Sequence, residues 1–368
     1  TGGAGFIGTR LSNRLNSEGH DITVVDYFWF GDKLDSGIMK YKKDLTTLTP
    51  SDLKGFDAVV FLAGLSNDPM ANFSPAKNFI ENSAAPTYLA FISKEAGVSR
   101  FVYASSCSVY GFTDNEVMDE DSPVNPLYPY GISKLQGEYA IMNMADDTFR
   151  PISMRKGTVG GWSPRMRFDL VVNTMTKFAL TAGKITVHNA KLWRPLIDIR
   201  DVIEAYILAI KAPREISEIF NVCTQNYTIG DLADSIKVEL KNHGHEVELE
   251  IQQKQDMRNY LSSNDKIKRM LNFNPKYSPQ DSVREVLENI NKFQLNLQDD
   301  IYYNITRSFC NADLYHKFHY NKDMDRFLCT TVYAVLSVIY PFHLIQHMNI
   351  EHEKIDFGSI WTKARFSH

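Results

Sequence analysis

At 368 residues, 43% of them hydrophobic and 23% charged, the chain has an ordinary globular composition and the length for one large α/β domain or two smaller ones. Its formal net charge of -4 gives no general attraction for polyanions, which argues against nucleic acid as a main partner. Cys107, Cys223, Cys310 and Cys329 form no CxxC pair, so neither a disulfide framework nor a structural zinc site is expected, no metal is predicted, and a reducing cytoplasm is the simplest setting.

The chain opens inside a glycine motif, Thr1-Gly-Gly-Ala-Gly-Phe-Ile-Gly8. Gly2, Gly5 and Gly8 stand three apart, and Ile7, Leu11 and Leu15 follow at a helical spacing of four. A helix opened in this way offers free backbone N–H groups and the positive end of its dipole to a pyrophosphate, with no side chain in the way. Such a motif normally follows the first, central strand of its sheet, so that strand is expected before residue 1. Gly19 and the run Asp21-Ile-Thr-Val-Val-Asp26 predict a turn and a strand. The strand ends on Asp26, a carboxylate that would accept hydrogen bonds from an adenosine ribose and repel a 2'-phosphate, which makes NAD rather than NADP the expected cofactor.

Asp44-Leu45 and Leu62-Ala63-Gly64 fall after the next two strands, at the cofactor edge of such a sheet, with Asp44 expected to meet the adenine amine. The run Asp57-Ala-Val-Val-Phe-Leu-Ala-Gly64 is short, apolar and closed by glycine, as in a strand covered on both faces. A helical stretch at 75–96 and a strand at Arg100-Phe-Val-Tyr-Ala-Ser105 complete the alternation, which predicts an α/β, Rossmann-type doubly wound parallel sheet. From about residue 161 the alternation loosens. A helix at 171–182, a β-like Lys184-Ile-Thr-Val-His188 and Val247-Glu-Leu-Glu-Ile251 suggest a smaller C-terminal substrate-binding lobe. The organisation read from this is a dinucleotide domain over 1–160, a lobe mainly over 161–296 and an extension over 297–368, with 194–222 returning to the first domain. Residues 327–345 are apolar and aromatic but broken by Thr330, Thr331, Ser337, Pro341 and His343, favouring a packed or partner-binding helix over a membrane span.

Tyr130 and Lys134 occur as Tyr130-Gly-Ile-Ser-Lys134, one helical turn apart on one face. A lysine ammonium beside a phenol, with a positive nicotinamide near, lowers the phenol's pKa and lets it take a hydroxyl proton as hydride leaves. Taken alone, such a pair also describes many surface helices. Here it follows Ser105-Ser-Cys-Ser-Val-Tyr-Gly111, whose strand-end serines either cap a loop or bond the reacting oxygen; Cys107 is expected to fill space.

Together, residues 1–8, Asp26, Phe101-Val-Tyr-Ala-Ser-Ser-Cys-Ser-Val-Tyr-Gly111 and Tyr130 to Lys134 resemble the NAD-dependent epimerase/dehydratase family, the extended short-chain dehydrogenases, over roughly residues 1–295. The resemblance implies Tyr130 as catalytic base and acid, Lys134 as its partner and as a ligand of the nicotinamide ribose, Ser106 as the hydroxyl that bonds the sugar oxygen, and Ser105 beside the nicotinamide. Family dehydratases usually carry Thr-Asp-Glu where this chain has Ser106-Cys107-Ser108, which counts against a 4,6-dehydratase. Trp193-Arg-Pro-Leu-Ile-Asp-Ile-Arg-Asp201 resembles the segment whose arginine meets the substrate diphosphate, implying Arg194, and Asp256-Met-Arg258 implies Arg258 near the nucleotide. Ser163-Pro-Arg-Met-Arg-Phe-Asp-Leu-Val-Val-Asn173 resembles a subgroup of sugar-nucleotide epimerases, with Asn173 toward the substrate and Arg165 and Arg167 toward phosphate. The expected partners are a nucleotide-diphosphate sugar and a second copy of the chain, paired through helices near 75–96 and 131–144. The implied activity is epimerisation, usually at C4, through a keto sugar. The rivals are a dehydrogenase or reductase that releases its coenzyme, a dehydratase, and a non-catalytic NAD-binding scaffold that uses the extension.

Overall fold

The computed structural model describes residues 1–253, 258–290 and 302–304. Helix α1 (Phe6–Ser17) opens directly from the glycines and buries Phe6, Leu11 and Leu15, which the 3.6-residue period gathers on one stripe. Strands β1 (Thr23–Asp26) and β2 (Met39–Lys42) pair in parallel. After β3 (Ala58–Phe61) come α2 (Asp68–Phe73), α3 (Pro75–Phe79), a π-helical turn at Ile80–Ala84 and α4 (Ala85–Glu95). The helical stretch expected over 75–96 is thus interrupted, and Pro86 explains the widened turn because it has no N–H to give the carbonyl of Asn82. That carbonyl instead accepts the Tyr103 hydroxyl at 2.7 Å. Strands β4 (Arg100–Tyr103) and β5 (Phe112–Met118), helix α5 (Pro129–Met142) and strand β6 (Arg150–Lys156) follow.

The second half contributes β7 (Thr158–Gly160), α6 (Val171–Ala182), β8 (Lys184–His188), β9 (Trp193–Asp198), α7 (Ile199–Ile210), β10 (Ile219–Val222), β11 (Gln225–Thr228), α8 (Ile229–Asn242), β12 (Glu248–Gln252), β13 (Asn259–Ser262), α9 (Asp265–Leu271) and α10 (Pro279–Ile290). The main sheet runs β10-β6-β4-β3, all parallel. Residues 1 and 2 stand between it and the β1–β2 pair: the Thr1 amino group donates to the Val60 carbonyl at 2.8 Å, and the Gly2 N–H donates to the Val25 carbonyl at 3.0 Å. Along β4 the side chains alternate, so Val102 joins one apolar cluster with Phe6, Ile152 and Tyr206 while Phe101 and Tyr103 join another with Phe61, Leu89 and Phe149. Both faces of the sheet are therefore covered, which makes the fold Rossmann-type α/β.

Of the stretch 194–222, β10 and α7 join this body, α7 burying Val202 and Tyr206 in the first cluster. Strand β9 does not: it pairs with β7 in parallel and with β11 in antiparallel fashion, because β10 already occupies the edge of β6. Smaller pairings, β12 with β8 and β13 with β5, complete the second half. Tyr88 and Phe91 of α4 and Tyr139 of α5 are exposed, on the helices expected to pair two copies. Among the described residues no helix is long and apolar enough to cross a membrane, and no cluster of His, Cys, Asp or Glu is suited to hold a metal. The stretch 327–345 and the Asp256-Met pair before Arg258 lie outside the described residues.

Helix α5 is fixed to the sheet by a dry ion pair. Arg155 Nη2 meets Glu138 Oε1 at 2.6 Å, with side-chain exposures of 3% and 0%. Ser153 donates to Glu138 Oε2 at 2.8 Å, and Arg155 Nη1 donates to the Tyr110 hydroxyl at 2.9 Å. Glu138→Ala would leave the guanidinium buried without its carboxylate. A loss of about 3–5 kcal/mol is expected, read as a lower urea midpoint; an unchanged midpoint would show that the pair does not hold the helix in place.

Candidate active site

A cavity of about 660 Å³ opens at the C-terminal ends of the parallel strands, where ligands bind in open α/β sheets. Its first wall is the glycine loop, with Gly2, Gly5, Phe6, Ile7 and Gly8 all lining it. Gly2 has φ +74°, and a Cβ there would lie 2.3 Å from the Ala63 nitrogen. The loop therefore presses on Leu62 and Ala63, which with Gly64 line the cavity beside it. Asp26 lines it too. One of its oxygens accepts the Ala4 N–H at 3.0 Å and the other the Phe28 N–H at 2.8 Å, so the strand-end carboxylate is aimed by the loop itself.

The expected partner of the adenine, Asp44, does not line the cavity, although Leu45 does. Asp44 Oδ1 instead caps a 3₁₀ turn, accepting the Thr46 N–H at 2.9 Å and the Thr46 hydroxyl at 2.8 Å. Asn173, expected toward the substrate, is likewise absent from the cavity lining. It is fully buried at 0% exposure, accepts the Gly161 N–H at 3.0 Å and donates to the Arg167 carbonyl at 2.9 Å. Both ends of its amide are occupied by backbone, so Asn173 shapes the arginine loop and does not line the cavity.

At the far end stand Ser105 and Ser106 from the end of β4, with Tyr130 and Lys134 from the first turns of α5. The Ser106 hydroxyl lies close enough to the Tyr130 phenol to favour its ionised form. The Lys134 ammonium is 5.8 Å from the centre of the Tyr130 ring, 5.3 Å from that of Tyr103 and 5.7 Å from that of Phe61. Burial pushes the Tyr130 phenol up, with the Asp68 charge adding to the rise and the Arg167 guanidinium and Ser106 hydroxyl opposing it. Burial likewise pushes the Lys134 amine well down, helped by the charge of Lys156. Both shifts have one main cause, the loss of the solvent that would stabilise either charge.

The opposite wall carries Arg165, Arg167, Arg194 and Arg258. Arg194 Nη1 donates to the Trp193 carbonyl at 2.7 Å and to that of Arg258. Three successive residues after β3 reach across to this wall: Asn304 Nδ2 donates to Ser66 Oγ at 2.6 Å, Asn67 Nδ2 to Asp169 Oδ2 at 2.9 Å, and Arg258 Nη1 to Asp68 Oδ2 at 2.6 Å. Arg167 forks onto Asp169 with two bonds of 2.9 Å.

The sequence pattern of the NAD-dependent epimerase/dehydratase family matches residues 1–223. The chain belongs to this family. It is 29% identical to the UDP-glucose 4-epimerase of Lactobacillus helveticus over 262 residues, 64% of this chain and 79% of that one. With UDP-arabinose 4-epimerase 1 of Arabidopsis thaliana it shares 24% over 341 residues, 80% of this chain and 78% of the relative. Among solved structures, UDP-glucuronic acid 4-epimerase from Bacillus cereus, in complex with UDP-glucuronic acid and NAD, superposes with TM-score 0.70 at 21% identity, over 79% of this chain and 98% of that one. The dTDP-glucose 4,6-dehydratase of Streptomyces venezuelae gives 0.70 at 20%, over 80% and 97%. These likenesses establish a shared fold.

NAD is the cofactor of the family, and the residues present fit it. The glycine loop leaves no room for a Cβ at Gly2 or Gly8, Asp26 is held at the strand end, and Ser105 Oγ is buried at the other end of the cavity without a hydrogen-bond partner among the described residues. Lys156 was not foreseen. It ends β6, lines the cavity and donates from Nζ to the Ser105 carbonyl at 2.9 Å, its amine pushed down to about 7 by burial. Its place at the C-terminal end of a parallel strand was the signal available in the sequence.

Proposed function

We propose that the protein is an NAD-dependent epimerase of a nucleotide-diphosphate sugar, inverting C4 through a transient keto sugar. The observation that carries this reading is the placement of Ser106, Tyr130 and Lys134 in the same cavity as the glycine loop and the four arginines. Relatives named as UDP-glucose and UDP-arabinose 4-epimerases support the substrate class and the carbon. Arg194 and Arg258 would hold the diphosphate, as fixed guanidinium groups suit phosphate oxygens.

NAD, held by the glycine loop and Asp26, would supply an acceptor and donor of hydride for the sugar carbon. Tyr130 takes the hydroxyl proton as the carbon is oxidised and gives it back on reduction, while Ser106 hydrogen-bonds the same oxygen and keeps it over the phenol. Lys134, one turn from the phenol on the same helix face, would bond the nicotinamide ribose. No carboxylate stands in the Ser106-Cys107-Ser108 segment to eliminate water, which separates this reading from a 4,6-dehydratase.

Incubating the full chain with UDP-, dTDP-, GDP- and CDP-sugars in deuterated water, with NMR of the products, tests the reading. One of them is expected to return its C4 epimer with no deuterium at the inverted carbon and no net change in nicotinamide absorbance. Net oxidation or reduction would make the protein a dehydrogenase or reductase, deuterium at the inverted carbon would mean proton abstraction without hydride transfer, and no turnover on the whole panel would favour the scaffold reading.

A further inference from the structure

Of the four arginines at the cavity, Arg167 and Arg258 face carboxylates, those of Asp169 and Asp68. Arg165 forms no ion pair among the described residues. It is only 4% exposed, its guanidinium lies 3.6 Å from the centre of the Phe30 ring, Nη1 donates to the Met166 carbonyl at 3.3 Å, and Nη2 donates to Asn304 Oδ1. Its Nε is buried without a hydrogen-bond partner among the described residues.

We infer that Arg165 is a dinucleotide-binding residue: supplied by the second half of the chain, laid flat on Phe30 and held by Asn304, it offers its guanidinium to the diphosphate of NAD. Phe30 stands four residues beyond Asp26 and lines the same cavity, so the guanidinium stacked on it lies on the Asp26 edge, where the carboxylates of Asp169 and then Asp26 act on it. This is the dinucleotide's edge and not the Tyr130 end. Burial pushes the guanidinium down to about 9, with Arg167 repulsion adding to the effect. A diphosphate offsets both, and stacking on an aromatic ring fixes the plane of the fork that receives it.

Asn304 is a positioning residue in this arrangement, acting through Arg165. It lies beyond the 1–223 stretch matched by the family, and its neighbours anchor it. Tyr302 accepts the Phe168 N–H at 3.2 Å and packs edge-on against that ring, and the Tyr303 hydroxyl takes a bond from Lys177 Nζ at 2.6 Å. With its amide oxygen on Arg165 and its amide nitrogen on Ser66, Asn304 ties the guanidinium to the loop after β3.

The inference rests on NAD use and not on the sugar chemistry, so it survives or fails separately from the proposed reaction. Calorimetric affinities for NAD, ADP, adenosine and UDP would be measured with the full chain, with Arg165→Gln and with Asn304→Asp. Arg165→Gln is expected to weaken NAD and ADP by about ten- to a hundredfold, the size of one charge-assisted contact, and to leave adenosine and UDP unchanged. Asn304→Asp keeps an oxygen against the guanidinium but pairs its charge. A merely structural bridge would survive that change, whereas the inference predicts weaker NAD and ADP binding, by about three- to tenfold. Unchanged NAD and ADP affinity in both variants would overturn it, as would a loss confined to UDP. If Arg165→Gln does not fold, Asn304→Asp decides alone.

Discussion

Tyr130→Phe is expected to lower kcat about 10²- to 10⁴-fold while the KM for the sugar nucleotide and the affinity for NAD stay within a few-fold. The change removes one oxygen. The ring that remains keeps its place on α5, with the Lys134 ammonium 5.8 Å from its centre, so binding surfaces on both sides of it are preserved. What is lost is the only function assigned to the hydroxyl, movement of the proton on the sugar oxygen. Steady-state kinetics on the substrate found in the sugar panel would read the split directly. Full turnover by the phenylalanine variant would remove the tyrosine from the reaction.

Gly8→Ala is expected to weaken NAD binding by about ten- to a hundredfold, and more than Gly5→Ala does. A Cβ at Gly8 would lie 2.2 Å from the Gly2 carbonyl oxygen, 2.7 Å from the Gly3 Cα and 2.8 Å from the Gly3 carbonyl carbon. These are backbone atoms, and Gly2 is tied to β1 through the Val25 carbonyl, so the loop has to shift as a whole. Overpacking of this kind costs about 1–3 kcal/mol, which appears in affinity because the displaced N–H groups are the ones offered to the pyrophosphate. At Gly5 the nearest contact would be the Gly2 oxygen at 3.2 Å, a milder crowding. Titration calorimetry with NAD ranks the two, and equal, wild-type affinity in both would move the cofactor away from this loop.

Much of the site was legible in the sequence because its parts are local. The spacing of Gly2, Gly5 and Gly8, the four-residue interval from Tyr130 to Lys134 and the strand-end position of Asp26 each specify a geometry within one turn or one strand, and the structure brings these residues to one cavity. Asn173 and Asp44 show what the sequence leaves open. Sequence position gave their neighbourhood but not the direction of a short polar side chain, and both found backbone partners close by. Strand β9 was misassigned because an apolar run says that it pairs and not with which strand. Lys156 and the crossings from Ser66, Asn67 and Asp68 depend on residues far apart in the chain, for which no periodicity exists.

Ser66, Asn67 and Asp68 hold the opposite wall from adjacent peptide units, whose Cα atoms are only about 3.8 Å apart. A backbone rotation at any one of them re-aims the side chains of its neighbours. The two walls of the cavity are therefore joined at three adjacent positions along one short stretch of backbone.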